Sequence, residues 1–400
     1  MSPLAAFRTI LADRSLRTAA ALMVLYGAVV CSLGPYASVL AVTQFGLGDH
    51  GYAAVLVVSS LLSVASSVGA GIRADQTANR RGIALAAMAL LVAGLALMAL
   101  RPGPVSFVLC YAILLPLSST IFTQLFALAR LAASAHPEAA RDAVLSTLRA
   151  LFALPFVAVL PLWSLAFASG APVLAIFPVC LAMAGLMLWL TARHWPQDGT
   201  TVWQDPRSGL SFAAALRELA RPHLLGRVLA LGAVSGANTL YIVLVSLVMV
   251  PVAGRGPADV ALYVGFVAGL EVPFMLAIPM ISARLPRNAL ILGGTAIYCC
   301  HVALLPLLVG SAWVWALILP AAFGGALILT LPIAYLQDLL ADRPGTGSSL
   351  MALQRLAGDG VAAACFVLGT AFAGYGLAAA LGAAAAVTGA LLLLLADRRA

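Results

Sequence analysis

The sequence predicts an all-α polytopic membrane protein in which twelve transmembrane helices form two pseudo-symmetric bundles of six. Three observations predict it. Of the 400 residues, 63% are hydrophobic and 9% charged, with a mean hydropathy of +1.06, whereas about a quarter of a soluble domain's residues are charged. The apolar residues gather into runs of bilayer-crossing length, about 20 residues each, interrupted by arginines, Gly/Pro pairs and polar clusters. One long polar stretch, His194–Pro222, separates six such runs from six more.

The first six runs are Thr18–Phe45, Tyr52–Ile72, Gly82–Leu100, Pro104–Ala129, Ala143–Ala168 and Pro172–Arg193. The second six are His223–Ala253, Asp259–Ile281, Ala289–Gly310, Ala312–Leu339, Gly347–Gly374 and Gly376–Ala396. The expected organisation is therefore a bundle over residues 1–193, a linker over 194–222 and a bundle over 223–400. Within the linker, Leu210–Leu219 spaces its apolar residues helically and is expected along the membrane surface. Arg8, Arg14 and Arg17 precede the first run without a small-residue cleavage site, so no removable signal peptide is expected.

All 22 basic residues are arginine, and the net charge is +8. The arginines are spread over short loops and never form an aromatic-interleaved patch, which excludes a nucleic-acid partner. They report topology instead. With the N-terminus inside, 18 of them lie on the cytoplasmic side and only Arg101 and Arg255 opposite, Arg149 and Arg355 being within the membrane. A multi-pass protein of a bacterial inner membrane with both termini cytoplasmic is expected. The cysteines Cys31, Cys110, Cys180, Cys299, Cys300 and Cys365 lie in apolar runs without metal-ligand spacing and read as small core residues. No phosphate-binding loop, zinc motif or activated nucleophile is present, so neither an enzyme, nor a cofactor, nor internal ATP-driven transport is expected.

A few charges remain inside the runs. Arg149 stands in the fifth, where a charge costs roughly 2.5–3.5 kcal/mol even on lenient insertion scales. It reads as a functional residue, or as a brace that snorkels to the near interface. Glu271 is near the middle of the eighth run with apolar neighbours except Pro273. Removal from water favours a neutral carboxyl, so Glu271 could exchange a coupled proton, or else be a permanently paired structural carboxylate, with Arg149 or Arg355 as partner. In the eleventh run, Arg355 and Asp359 are four residues apart and can pair on one helix face, and Gly358 and Gly360 permit close helix contact there.

The halves also resemble each other. Thr123–Arg130 (TQLFALAR) closes the fourth run and Leu336–Arg343 (LQDLLADR) the tenth, matching Gln124 with Gln337 and Arg130 with Arg343. A loop seven residues shorter then matches Arg149 with Arg355, as parallel six-helix repeats would.

The loop Gly69–Gly82 (GAGIRADQTANRRG) has glycines for close helix approach, Asp75, and the basic pair Arg80/Arg81. It resembles the signature loop of the major facilitator superfamily, with Gln76 and Ala78 in place of the expected basic residue and glycine. That resemblance implies a cytoplasmic gate of Asp75, Arg80 and Arg81, with Asp338 and Arg343 in the second half. QLFALAR with STLRALFALPFVAVLPLW, YVGFVAGLEVPFML (Tyr263–Leu276) and YLQDLLADRPGTGSSL (Tyr335–Leu350) are together similar to the sugar efflux transporters within that superfamily. The resemblance implies a monomeric secondary transporter exporting sugars or sugar-like molecules by proton antiport, its partners a small-molecule substrate, protons and membrane lipids.

Sugar recognition needs amides and hydroxyls beside an aromatic platform near the midplane. Candidates are Asn238 and Tyr241, Gln124 and Phe126, Tyr26 and Tyr36, and Phe152 and Trp163, with Arg149. The proton-coupling candidates are Glu271, Asp359 and Arg355. His301 is set aside, because the ninth helix faces lipid in the superfamily that the sequence resembles. Two other readings stay open: a multidrug exporter on the same fold, whose cavity would be apolar and aromatic, and a non-transporting receptor or scaffold.

Overall fold

The structure, a computed structural model, describes residues 3–77, 79–197, 201, 203, 222–252, 254–282, 285–338 and 344–398. Among the described residues every regular element is helical. Helix α1 (Pro3–Ala12) precedes α2 (Arg14–Leu33), which is extended by Gly34–Tyr36, Ala37–Val39 and a π-helical turn, Leu40–Gln44. Next come α3 (Gly48–Thr77) and α4 (Arg80–Leu100), and then Pro104–Val108, the π-helical Leu109–Leu114 and Leu115–Ser118 lead into α5 (Thr120–Ser134). Helices α6 (Glu138–Ala168) and α7 (Ile176–His194) complete the first half. The second half contains α8 (Pro222–Met249), α9 (Pro257–Ser282), α10 (Arg287–Leu308), α11 (Ile318–Asp338), α12 (Pro344–Phe372) and α13 (Tyr375–Arg398).

Helices α2 to α13, with their extensions, contain twelve stretches long and apolar enough to cross a membrane, the number expected. Several helices outrun their apolar runs. Helix α6 starts at Glu138 and α3 at Gly48, since a helix's own hydrogen bonds continue into its polar flanks whether or not lipid surrounds them. The surface helix expected at Leu210–Leu219 lies outside the described residues, as does Arg343.

Local chemistry explains the ends. Asn79 caps α4, its Oδ1 accepting from the Gly82 amide at 2.9 Å. Gly170 (φ 95°) and Gly374 (φ 79°) follow α6 and α12 in the left-handed region that glycine enters without steric cost. These helices carry Arg149 and Arg355, so the matched helices of the two halves stop by the same device.

The backbone gathers into two compact units. The first comprises Met1–Leu33, Ala65–Leu160 and Ala171–Ser211. In it α7 packs on α4 and α2, and α5 packs on α2 and α4, around Met23, Met88, Leu95, Leu125, Phe177 and Met187. The second comprises Gly34–Val64, Pro161–Gly170 and Phe212–Ala400. Here α8 packs on α12 and α13, α10 on α11 and α13, and α9 on α11. The segments Gly34–Val64 and Pro161–Gly170, distant in sequence, fold with these helices.

Lipid tails give helices no hydrophobic reason to associate, so packing relies on small residues and polar bonds. At the α8–α12 crossing a Cβ on Gly236 would come 2.9 Å from the Gly358 carbonyl oxygen, and one on Gly358 2.8 Å from that of Gly232. Gly360, expected to share this role, has nothing within 4 Å of its Cβ position, and neither has Gly69 or Gly71. At one end of the second unit the Asp397 carboxylate accepts from Tyr335 at 2.6 Å, Arg227 at 3.1 Å and Asn288 at 3.4 Å, tying α13 to α11, α8 and α10. Of the six cysteines five are buried as expected, but Cys300 is exposed. Large apolar side chains such as Leu100, Leu162, Leu276, Leu307 and Phe372 point outward, an arrangement that a hydrocarbon solvent favours and water does not.

Candidate transport site

In the first unit the aromatic candidates of α2, α5 and α6 converge. The close approach of α2 and α6 depends on Gly27, whose Cβ position is occupied by the Phe152 carbonyl oxygen. Tyr26 lies 6.1 Å from Phe152 and 6.5 Å from Phe122, ring centre to ring centre, and Phe122 is 5.0 Å from Phe152 and 5.2 Å from Phe126. Arg149, one helical turn before Phe152, is exposed and places its guanidinium 5.0 Å from the Phe126 ring centre. A cation over an aromatic face gains about 0.5–2 kcal/mol, which offsets part of the cost of a charge at that depth. Two residues before Phe126 in the chain, Gln124 is 1% exposed and its Oε1 has no protein partner among the described residues.

Tyr36 and Trp163 do not join this cluster. Both belong to the second unit, where Phe167 lies between them at 5.4 Å from each ring, and the Tyr36 hydroxyl donates to the Pro257 carbonyl at 3.2 Å. They sit in packed contacts near the segment that precedes α9.

Glu271 of α9 is also in the second unit. Its Oε1 sits against Gly325 of α11, where any side chain would collide with the carboxylate, and the edge of Tyr298 is 3.4 Å from the same Cβ position. Tyr298 donates to Asn238 Oδ1 at 2.9 Å. An acid, a phenol and an amide from three helices thus share one neighbourhood, against Gly325 of a fourth. Among the described residues no ion pair includes Glu271, so within its unit the expected pairing with Arg355 does not occur.

Asp359 is engaged instead. Its two carboxylate oxygens accept from Ser60 at 2.9 Å and Thr239 at 3.0 Å, linking α3, α8 and α12. Arg355 reaches it only at 3.9 Å with 73% of its side chain exposed. An exposed pair at that separation contributes about 0–1 kcal/mol, so the hydroxyls hold Asp359 and Arg355 is largely uncommitted. The same unit adds Ser38–Ser246 at 2.9 Å and Tyr375–Asp49 at 3.1 Å.

No family model matches the sequence. Over 340 residues, 82% of this chain and 84% of the other, it is 30% identical to a Deinococcus radiodurans protein named "Putative sugar efflux transporter". The chain belongs to the sugar efflux transporter family. Among solved structures, the nucleoside transporter NupG superposes with a TM-score of 0.74 at 11% identity, covering 96% of this chain and 98% of that one. An auto-inhibited peptide transporter of the POT family superposes with 0.76 at 14% identity, covering 97% of each chain. These likenesses assign the major facilitator fold. This member of the sugar efflux family is a multi-pass membrane transporter and not an enzyme.

The gate residues are only partly visible. The side chains of Asp75 and Asp338, and the whole of Arg343, lie outside the described residues. Arg80 opens α4, and Arg81 donates to the Ala192 carbonyl of α7 at 2.8 Å, a bond within the first unit. Sequence reasoning missed His301. It is 0% exposed and faces the interior of the second unit rather than lipid. The signal was present in Thr295, Tyr298 and His301, three polar residues at a spacing of three on one membrane helix, all of them buried.

Proposed function

We propose that this protein exports sugars or sugar-like small polar molecules in exchange for protons, by alternating access of two six-helix halves, residues 1–193 and 223–400, joined by residues 194–222. Glu271 carries the reading. It is an acid in a membrane span, without an ion pair among the described residues, set against Gly325 and beside the Tyr298–Asn238 bond. An unpaired ionisable group at such a position is costly and functional by default. The sugar assignment is supported by the relative's name and by amide and hydroxyl groups next to aromatic rings, the chemistry that holds a polyol.

The two halves divide the work. Arg149, Gln124, Tyr26 and Phe152 of the first contact substrate. Glu271 takes up and releases the proton, and Asp359, held by Ser60 and Thr239, with Arg355 beside it, completes the coupling set. The gate of Asp75, Arg80, Arg81, Asp338 and Arg343 acts on the cytoplasmic side, and the protein works as a monomer in a bacterial inner membrane. The orientation rests on the arginine distribution, and a cysteine at Ser208 should stay unlabelled by an impermeant reagent in intact cells. Labelling there reverses the assignment.

The ring cluster of Tyr26, Phe122, Phe126, Phe152 and Phe156 favours a second reading, export of apolar drugs. Arg149 beside it opposes cationic ones. Counterflow of labelled solutes into liposomes carrying the protein separates the two: sugars should exchange and hydrophobic cations should not, and exchange of the cations alone would replace the sugar assignment.

A further inference from the structure

The interior of the second unit contains polar atoms that the protein does not itself satisfy. Tyr241 of α8, Tyr263 of α9 and His301 of α10 are at most 2% exposed. Neither phenol oxygen and neither imidazole nitrogen has a protein hydrogen-bond partner among the described residues. The three rings meet. The His301 ring centre is 4.8 Å from that of Tyr241 and 6.1 Å from that of Tyr263, and the two tyrosines are 6.4 Å apart. Tyr298 completes the group at 5.4 Å from His301 and 6.3 Å from Tyr241, and it alone is bonded, to Asn238.

Leaving a buried donor or acceptor unpaired is costly, and in a bilayer no bulk water is at hand to reduce the cost. Ring contacts offset part of that cost and satisfy none of the four atoms. A neutral imidazole needs one donor and one acceptor partner, and each phenol can give one bond and take more. Buried water, which makes about three bonds to such groups, supplies both kinds.

We propose that Tyr241, Tyr263 and His301 form an internal water-binding site that lies beside Tyr298 and carries the coupled proton toward the Glu271 carboxylate. The proposal rests on the reading of Glu271 as the coupling acid. Each step breaks one O–H or N–H bond and makes another. His301 takes a proton on its unprotonated nitrogen and releases one from the other, with no oxidant or cofactor involved. The groups around the site are Tyr241 from α8, Tyr263 and Glu271 from α9, and Tyr298 from α10. Beyond Tyr263 lies Trp315 at 6.0 Å, under the Arg255 guanidinium. Arg255 is already bonded to the carbonyls of Val309 and Ser311 at 2.7 Å each, with Asp259 at 3.8 Å, so the far wall of the site is fixed.

The test uses the full-length protein in liposomes. His301→Phe keeps an aromatic ring and removes both nitrogens, and Tyr263→Phe removes one oxygen. Both should leave sugar counterflow within about twofold of wild type. His301→Phe should lower pH-gradient-driven transport at least tenfold, Tyr263→Phe should lower it less, and His301→Gln, which restores a donor and an acceptor, should recover part of it. Glu271→Gln is measured in parallel. If it abolishes coupling while His301→Phe stays fully coupled, the water path is wrong and the Glu271 reading stands. If Glu271→Gln remains coupled, both fall. Loss of counterflow in both His301 variants would make the cluster packing or substrate machinery and overturn the proposal. An experimental structure that resolves water should place it within hydrogen-bond distance of His301 and a tyrosine hydroxyl, and direct His–Tyr bonds that exclude water would also overturn it.

Discussion

Liposomes carrying the Glu271→Gln protein should move no sugar in response to an imposed pH gradient, yet should still exchange labelled sugar when no gradient is applied. The amide has the shape of the protonated acid and can neither take nor release the proton, so it isolates coupling from binding. Shape matters here because the carboxylate is packed against Gly325, with Tyr298 adjoining. A larger side chain would change the packing as well as the charge. The expected loss of driven transport is at least tenfold, about 1.4 kcal/mol in the coupled step. Because no ion pair includes Glu271 among the described residues, neutralising it strands no buried counter-charge, and the protein should insert and fold. Normal gradient-driven transport by the glutamine protein would remove Glu271 from the mechanism.

Arg149→Lys should keep the charge and lose at least tenfold in transport, about 1.4 kcal/mol. The guanidinium lies over the Phe126 ring at 5.0 Å, and its planar array of five donors can bind adjacent sugar hydroxyls while remaining stacked, which a lysine ammonium cannot do. Arg149→Ala should also lose transport but stay folded, since it removes a costly intramembrane charge along with its contacts. Normal transport by the lysine protein would mean that charge alone matters at this position. Should alanine transport normally as well, Arg149 snorkels or braces α6, and the substrate site must be sought around Glu271 and Asn238.

The architecture was legible because a bilayer imposes it: apolar runs need a fixed length, and twelve of them become twelve helices long enough to cross. The inward face of each helix was not legible, because a helix that is apolar all round carries no polar face to orient it. Gly358 and Gly360 illustrate the loss. Two residues apart on a helix they point about 200° from each other, so only one can face α8, and composition does not say which. His301 was discounted on the usual place of its helix, although the three-residue spacing from Thr295 through Tyr298 marked a polar face that had to point inward. Of the candidate site, the meeting of Tyr26, Phe126, Phe152 and Arg149 could be anticipated from their helix positions. The Ser60–Asp359 bond spans 299 residues, and nothing local to either residue encodes it.

The most direct measurement of proton-coupled sugar export is the internal pH of liposomes carrying the wild-type protein and a trapped pH dye, followed as a sugar gradient is applied without any pH gradient. The account predicts proton movement opposite to the sugar flux, absent for hydrophobic cations and abolished by Glu271→Gln. Sugar flux that leaves the internal pH unchanged would contradict it.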